Sequence, residues 1–193
     1  MVIGSNPIEC IIIYKNSLIM FCIENLLLYI LMLPIFGILI LLLLPAKEEK
    51  LLKLIAINSS CLSFIGSLIV WFFFQKSIGF FHYVIKLFWL PSLNLNFTLG
   101  IDGISIFFLL LTTLLIPLCI LTSWNNVSDN LKEFLIAFLI LDFFLIGTFC
   151  VLDLLFFYIF FESVLIPMFL IVGIWGFRER KILASYYFFY ILY

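Results

Sequence analysis

The feature that most limits how this chain can fold is a series of long apolar runs. The first extends from Leu26 to Leu44 and contains no charged residue. A helix of about 20 apolar residues crosses the hydrocarbon core of a bilayer. Lipid offers the backbone no hydrogen-bond partners, so a spanning run is helical unless it belongs to a closed β-barrel. The sequence therefore predicts an all-α integral membrane protein.

The composition excludes several other classes of protein. Of the 193 residues, 66% are hydrophobic and 11% are charged, whereas soluble domains carry about 25% charged residues. A soluble enzyme is excluded. Ten basic residues against 11 acidic ones leave no basic face, so nucleic acid is not an expected partner. The five cysteines stand singly beside one histidine, which predicts no metal site and no cofactor bound by this chain.

About six membrane spans are predicted, numbered here in chain order. They cover residues 26–44, 51–74, 103–121, 131–152 and 154–174, and the sixth begins near residue 182. Residues 1–25 are interpreted as an N-terminal extension, in which the short apolar segment 8–23 lies at the membrane interface. Span six is unbroken at Tyr193, and a helix that ends in mid-bilayer leaves its last carbonyls unpaired. We therefore expect further polypeptide to complete or flank it.

Two patterns differ from simple apolar runs. Apolar and polar residues alternate from Leu93 to Leu99, which predicts one short β-strand outside the hydrocarbon. In span two, small residues recur at helical spacing, a pattern that lets two membrane helices approach closely. They are Ser59, Ser60, Ser63, Gly66 and Ser67. This face of span two is predicted to pack inward.

The distribution of Lys and Arg predicts the orientation in the membrane. Seven basic residues fall on one side: Lys47, Lys50, Lys53, Lys132, Arg178, Arg180 and Lys181. Three fall on the other: Lys15, Lys76 and Lys86. Loops with more basic residues remain in the cytoplasm or matrix. The N-terminus and the predicted strand are therefore expected on the opposite face.

Two carboxylates lie inside hydrophobic spans, Asp142 in span four and Glu162 in span five. Ionisable groups are costly in hydrocarbon and usually mark function. Five residues after Glu162, Pro167 lacks the amide that would bond the carbonyl of Ser163, which leaves a backbone acceptor beside the carboxylate. A carboxyl in such a place can hold, pass and release a proton. The alternative for both acids is a neutral carboxyl that serves helix packing.

The turn at Asp153 gives the depth of both acids. Asp142 lies 11 residues before it and Glu162 lies 9 after it, so at about 1.5 Å per residue both are roughly 15 Å from the turn. Neighbouring helices pack about 8–10 Å apart. Asp142 is therefore predicted to be an accessory proton-holding group for Glu162. Asp102 and Asp153, at span ends, are interpreted as helix caps.

Three segments are similar to a known family. They are LGIDGIS at 99–105, FYIFFESVLIPM at 157–168 and WGFRER at 175–180. These motifs resemble the antiporter-like membrane-arm subunits of proton-pumping NADH:ubiquinone oxidoreductase, respiratory complex I, and within them the mitochondrial subunit 4 branch. The resemblance covers residues 26–193, about the first two fifths of such a subunit.

The resemblance implies the front part of a 14-helix antiporter-like domain, incomplete at its C-terminal end. It implies that Glu162 is the family's fifth-helix glutamate, which works with a lysine on a later helix. NAD, FMN, iron–sulfur clusters and ubiquinone would be bound by other subunits, and the partners would be neighbouring antiporter-like subunits and lipids. The expected location is the mitochondrial inner membrane, or alternatively a bacterial plasma membrane. Two other functions stay open, a subunit of a multi-subunit Na⁺/H⁺ antiporter and a structural helical anchor.

Overall fold

Five long helices and a β-hairpin form the part of the chain that a computed structural model describes, which is residues 25–74, 82–90, 95–125, 127, 130–176, 186 and 190. In chain order the elements are α1 (Leu26–Leu43), α2 (Glu49–Phe72), β1 (His82–Leu90), β2 (Leu95–Ile101), α3 (Ser105–Thr122), α4 (Leu131–Cys150) and α5 (Leu154–Trp175). Each of the five helices is long and apolar enough to cross a membrane. Spans one to five are thus confirmed to within a few residues. The interfacial segment 8–23 lies outside the described residues, as does span six apart from Tyr186 and Tyr190.

Helix α4 lies at the centre of the bundle. It packs against α1, α2, α3 and α5, and half of its apolar window is buried, against 17% for α5. Phe134 near the start of α4 contacts Trp175 at the end of α5, with ring centroids 5.1 Å apart. The short turn around Asp153 therefore joins two antiparallel neighbours, as predicted.

The small residues of α2 face the interior, which confirms the predicted inward face. Ser60, Ser63 and Ser67 are fully buried. A Cβ atom added at Gly66 would lie 2.8 Å from Cγ1 of Ile30 on α1. Helices α1 and α2 approach this closely because Gly66 of α2 has no side chain at the point where Ile30 of α1 packs.

The buried apolar side chains in the described part of the chain form two clusters, one toward each end of the bundle. The cluster at the hairpin end includes Leu27, Ile30, Val70, Ile106 and Ile146. The cluster at the opposite end includes Leu41, Leu52, Ile116, Leu135 and Leu139. The middle turns of α2, α3 and α4 lie between these two clusters.

The hairpin corrects the prediction of a single strand. Besides β2, which overlaps the predicted 93–99 strand, the structure contains β1, paired antiparallel with it; Leu87 lies opposite Phe97 and Ile85 opposite Leu99. The sequence of β1, HYVIKLFWL, is apolar at both odd and even positions, so the period of two that identifies a half-buried strand is absent. Pairing with β1 supplies the backbone partners that β2 needs.

The hairpin is fastened to the turn between α4 and α5. Leu99 forms an antiparallel bridge with Val151, and the Leu152 amide donates to the Thr98 carbonyl at 2.9 Å. The hairpin and this turn therefore occupy one end of the bundle. At the other end, the Lys53 ammonium donates to the Trp124 carbonyl at 2.7 Å. The predicted division of the loops into two faces agrees with this arrangement.

Candidate functional site

Asp142 lies in the middle of α4 and is completely buried. Its Oδ2 lies 3.3 Å from the Ser63 hydroxyl oxygen of α2, within hydrogen-bond distance. Its Oδ1 has no hydrogen-bond partner among the described residues. A buried carboxyl oxygen without a partner loses the hydrogen bonds that water would give it, which costs about 1–3 kcal/mol. The side chain is thus held in an unfavourable place at mid-bundle, as a functional acid often is.

A second buried polar contact lies one turn of α2 from Ser63. The hydroxyls of Ser67 on α2 and Thr113 on α3 are 2.9 Å apart. Thr113 is fully buried, and its hydroxyl also donates to the Leu109 carbonyl at 2.8 Å. The interior of the bundle therefore contains hydroxyl groups from α2 and α3 in addition to the buried carboxyl of Asp142.

Glu162 lies in the middle of α5 and is half-buried. Its Oε1 accepts a hydrogen bond from the Tyr158 hydroxyl, one turn earlier on the same helix. Pro167 is buried and Ser163 is half-buried, and α5 remains one continuous helix through both. Only Phe156, Phe160 and Pro167 of α5 are buried by the described residues. Glu162 therefore lies toward the open side of the bundle.

The structure does not join Asp142 and Glu162 by a hydrogen bond. One oxygen of Asp142 faces Ser63 and the other is unpartnered among the described residues. The observed partner of Glu162 is Tyr158. The two acids occupy the predicted helices near the middle of each, while their hydrogen-bonding partners differ. The accessory role of Asp142 stays a prediction.

The two aspartates at span ends cap helices, as predicted. Asp102 accepts a hydrogen bond from the Ser105 amide at 2.6 Å at the start of α3. Asp153 accepts one from the Leu155 amide at 3.3 Å at the start of α5. The hydrogen bonds from Ser105 hold the pKa of Asp102 below its ordinary value. These carboxylates are explained by helix termini, which leave backbone amides without partners.

Two polar contacts are not predicted by the sequence, one at the site and one at the end of α1. The sequence pattern indicates only that Ser63 is a small residue for close packing, yet its hydroxyl contacts Asp142. The sequence uses Lys132 only to predict orientation, yet its ammonium donates to the carbonyls of Leu42 at 3.1 Å and Leu44 at 2.8 Å. The signal for Ser63 was its position on the same inward face as Ser60 and Ser67, combined with an acid at matching depth on another span.

Comparison with known proteins gives one consistent result. The family described as NADH:quinone oxidoreductase/Mrp antiporter, TM, matches residues 151–192. NADH-ubiquinone oxidoreductase chain 4 of Chondrus crispus is 58% identical over 156 residues, which is 81% of this chain and 32% of that protein. The Prototheca wickerhamii chain 4 is 46% identical over 192 residues, 92% of this chain and 36% of that one.

A solved structure shows the same similarity. A chain in the structure "Respiratory complex I from Thermus thermophilus with bound NADH" superimposes with a TM-score of 0.65 at 28% identity, covering 82% of this chain and 31% of that chain. The chain is thus homologous to these proteins over most of its own length. It spans about a third of the length of the curated relatives it matches.

Proposed function

We propose, from homology to NADH-ubiquinone oxidoreductase chain 4 over most of its length, that this chain is a membrane-arm subunit of a proton-pumping NADH:ubiquinone oxidoreductase. Its role is proton translocation coupled to NADH oxidation and quinone reduction. The observation that carries this proposal is the presence of one acid in the middle of each of two adjoining spanning helices, Asp142 in α4 and Glu162 in α5. Similarity to chain 4 proteins favours this function over a Na⁺/H⁺ antiporter subunit.

Glu162 is the main proton-transferring group in this proposal. An acid that faced lipid at the middle of a span would cost about 2.5–3.5 kcal/mol. Half-burial of Glu162 on the sparsely covered helix α5 therefore supports a protein surface, and not lipid, against this side of α5. A cation on that surface would stabilise the ionised form, and its approach or retreat would control release of the proton.

Asp142 is the accessory group. It is fully buried in α4, and its side chain contacts Ser63 of α2. Both acids lie near the middle of their helices, so a proton held at Asp142 is at the depth where Glu162 works. The short turn of α4 and α5 at Asp153 supports this relative placement.

The redox chemistry is assigned to other subunits. We place the sites of NAD, FMN, the iron–sulfur clusters and ubiquinone outside this chain, whose partners are the neighbouring membrane-arm subunits and lipids. Residues 26–193 form part of one antiporter-like domain in this proposal, and residues 1–25 form an extension of it. The location is the mitochondrial inner membrane, in agreement with the relatives from algae.

The central experiment measures proton pumping by the assembled complex in proteoliposomes. Glu162→Gln removes the titrating group and retains its shape, so NADH-driven acidification is expected to fall strongly. Asp142→Asn should lower it modestly without loss of assembly. Glu133→Gln is the matched control, because Glu133 is an exposed acid in the first turn of α4. Wild-type pumping by the Glu162→Gln complex would refute the proposed role of that residue.

The orientation is tested separately. A cysteine introduced at Lys50 should react with a membrane-impermeant maleimide from the matrix side, because the basic loops face that compartment. Wild-type complex, which retains Cys61 in α2 and Cys119 in α3, gives the background labelling. Reaction of residue 50 from the intermembrane side would reverse the proposed topology.

Copurification addresses the remaining alternative. The chain should purify with subunits that carry flavin and iron–sulfur clusters. Purification with antiporter subunits that lack these groups would favour the Na⁺/H⁺ antiporter function.

A further inference from the structure

A layer of buried polar side chains crosses the middle of the bundle. We call it the polar layer, and it consists of Ser60, Ser63 and Ser67 of α2, Thr113 of α3 and Asp142 of α4. All five are fully buried. Along each helix they fall between the residues of the two apolar clusters, so apolar packing closes the layer toward both ends of the bundle.

The hydroxyl hydrogens of this layer are already used. A serine or threonine hydroxyl has one hydrogen and two acceptor lone pairs. The hydroxyls of Ser60, Ser63 and Ser67 donate to backbone carbonyls three residues back, at 3.0, 2.8 and 2.7 Å. Thr113 donates to the Leu109 carbonyl at 2.8 Å. The layer therefore has many free acceptors and few free hydrogens.

The number of available hydroxyl hydrogens also indicates whether the Asp142 carboxyl is protonated. The Ser63 hydrogen serves the Ser60 carbonyl at 2.8 Å, which is closer than the 3.3 Å contact with Asp142. The contact between Ser63 and Asp142 is therefore best satisfied when the carboxylic acid carries the hydrogen and donates it to the serine oxygen. The second carboxyl oxygen still lacks a donor among the described residues.

Water fits this deficit. A buried water is stable where it finds about two to four polar partners, and it brings two hydrogens. Successive serines of the layer are three and four residues apart, which is a rise of about 4.5 and 6 Å along the helix. Hydroxyls at that separation are too far apart to bond directly. One water with two hydrogen bonds of about 2.8 Å each can span the gap of about 4.5 Å, whereas the gap of about 6 Å needs a second water.

We propose that the polar layer is a hydrated proton-holding site, in which Asp142 carries the proton and bound water connects its free oxygen to the hydroxyls of Ser63, Ser67 and Thr113. Asp142 exchanges this proton with the bound water of the layer, and not by direct contact with Glu162. This inference rests on the proposed function for its role in proton translocation. The binding of water and the protonated carboxyl are properties of the layer itself, so they are tested without a pumping assay.

The first test is a density map of the intact complex at a resolution that shows ordered water. A water is expected within about 2.5–3.0 Å of Asp142 Oδ1, the normal range for a hydrogen bond between two oxygen atoms. The inference would be overturned if no water lay beside this oxygen, or if a metal ion or a side chain from another part of the complex occupied that position.

The second test is the infrared difference spectrum between wild-type and Asp142→Asn complexes. It should contain a protonated carboxyl band that shifts on transfer to heavy water, because the site is hydrated and exchanges. The band should also shift in Ser63→Ala, which removes a hydrogen-bond partner. If Asp142→Asn fails to assemble, the Ser63→Ala difference spectrum still identifies the band.

Ser59→Ala is the matched control. Ser59 is on the same helix and its hydroxyl donates to the Ala56 carbonyl at 3.0 Å, but it is only half-buried and lies outside the polar layer. The band should keep its position in this variant. Absence of the band, or a band that does not exchange, would overturn the inference even if Glu162→Gln abolishes pumping. Normal pumping by Glu162→Gln with an exchanging Asp142 band would instead refute the proposed role of Glu162 alone.

Discussion

Replacement of Gly147 by alanine is expected to disturb the contact between α4 and α5. A Cβ atom at this position would lie 2.5 Å from Cδ1 and Cε1 of the Phe160 ring and 3.0 Å from its Cγ. Carbon atoms normally approach to about 3.5–4.0 Å, so the ring would have to retreat by roughly 1 Å. Its movement is restricted, because the ring also packs against Phe143 at 5.7 Å, Phe144 at 6.1 Å and Phe97 at 6.3 Å between centroids.

The expected loss of stability in Gly147→Ala is the difference between two opposed effects. Overpacking of a well-packed core costs about 1–3 kcal/mol, while alanine in place of glycine stabilises a helix by about 1 kcal/mol. The net loss is therefore up to about 2 kcal/mol. For a chain of this size, 1 kcal/mol lowers the unfolding midpoint by about 2–4 °C. The assay is retention of the subunit in the assembled complex after graded heating, read on a native gel.

Gly173→Ala is the control for this prediction. It makes the same change in α5, where no described atom beyond the neighbouring residues and backbone of the same helix lies within 4 Å of the added Cβ. Its midpoint should equal or exceed that of the wild type. Phe160→Leu combined with Gly147→Ala should recover part of the loss through a favourable coupling between the two sites. Equal midpoints for the Gly147→Ala and Gly173→Ala complexes would show that the steric reasoning is wrong.

Two further predictions concern charged groups at the helix ends. Lys132→Met should lower the midpoint in the same assay by the equivalent of about 0.5–2 kcal/mol, because it removes charged hydrogen bonds to the carbonyls of Leu42 and Leu44 at the end of α1 from a partly exposed site. Lys132→Arg should retain most of the stability, and a Lys132→Met midpoint equal to the wild type would contradict this. For Asp102, whose pKa is lowered by the hydrogen bonds from Ser105, the contribution to stability is present above the ordinary carboxyl pKa. It is lost as the pH falls through the lower folded value. The midpoint difference between wild type and Asp102→Asn should thus shrink on acidification, and a constant difference would exclude the cap as its source.

The helices were predictable from the sequence because the membrane imposes a single requirement on every spanning residue. A run from Leu26 to Leu44 has to satisfy its backbone internally, so length and apolarity suffice to locate it. Length and apolarity do not locate the strands of the hairpin, which lie outside the spanning helices. β2 was found through its alternation, whereas β1 is apolar on both faces, and its pairing depends on a contact that the sequence pattern does not show.

The sequence predicts the two acids of the candidate site, but it does not predict which way their side chains face. An acid within an apolar run is visible in the sequence, and Asp142 and Glu162 both lie in the middle of the predicted helices. Which way each acid faces depends on the rotation of its helix, which is set by packing against several neighbours at once. The contact of Asp142 with Ser63 and the open position of Glu162 therefore appear only in the structure.

The surroundings of the two acids differ in a way that separates their roles. The described hydrogen-bond partner of Asp142 is Ser63 of α2, a helix that packs against α4, so a substitution at Ser63 acts on a contact that the described residues define. The only described hydrogen-bond donor to Glu162 is Tyr158 of its own helix, so the ionisation of Glu162 is controlled by whatever surface covers α5. A group that holds its proton between firm neighbours is suited to storage. A group whose partner approaches from outside the bundle is suited to a step that must be switched, and this difference is why we assign the accessory role to Asp142 and the gated transfer to Glu162.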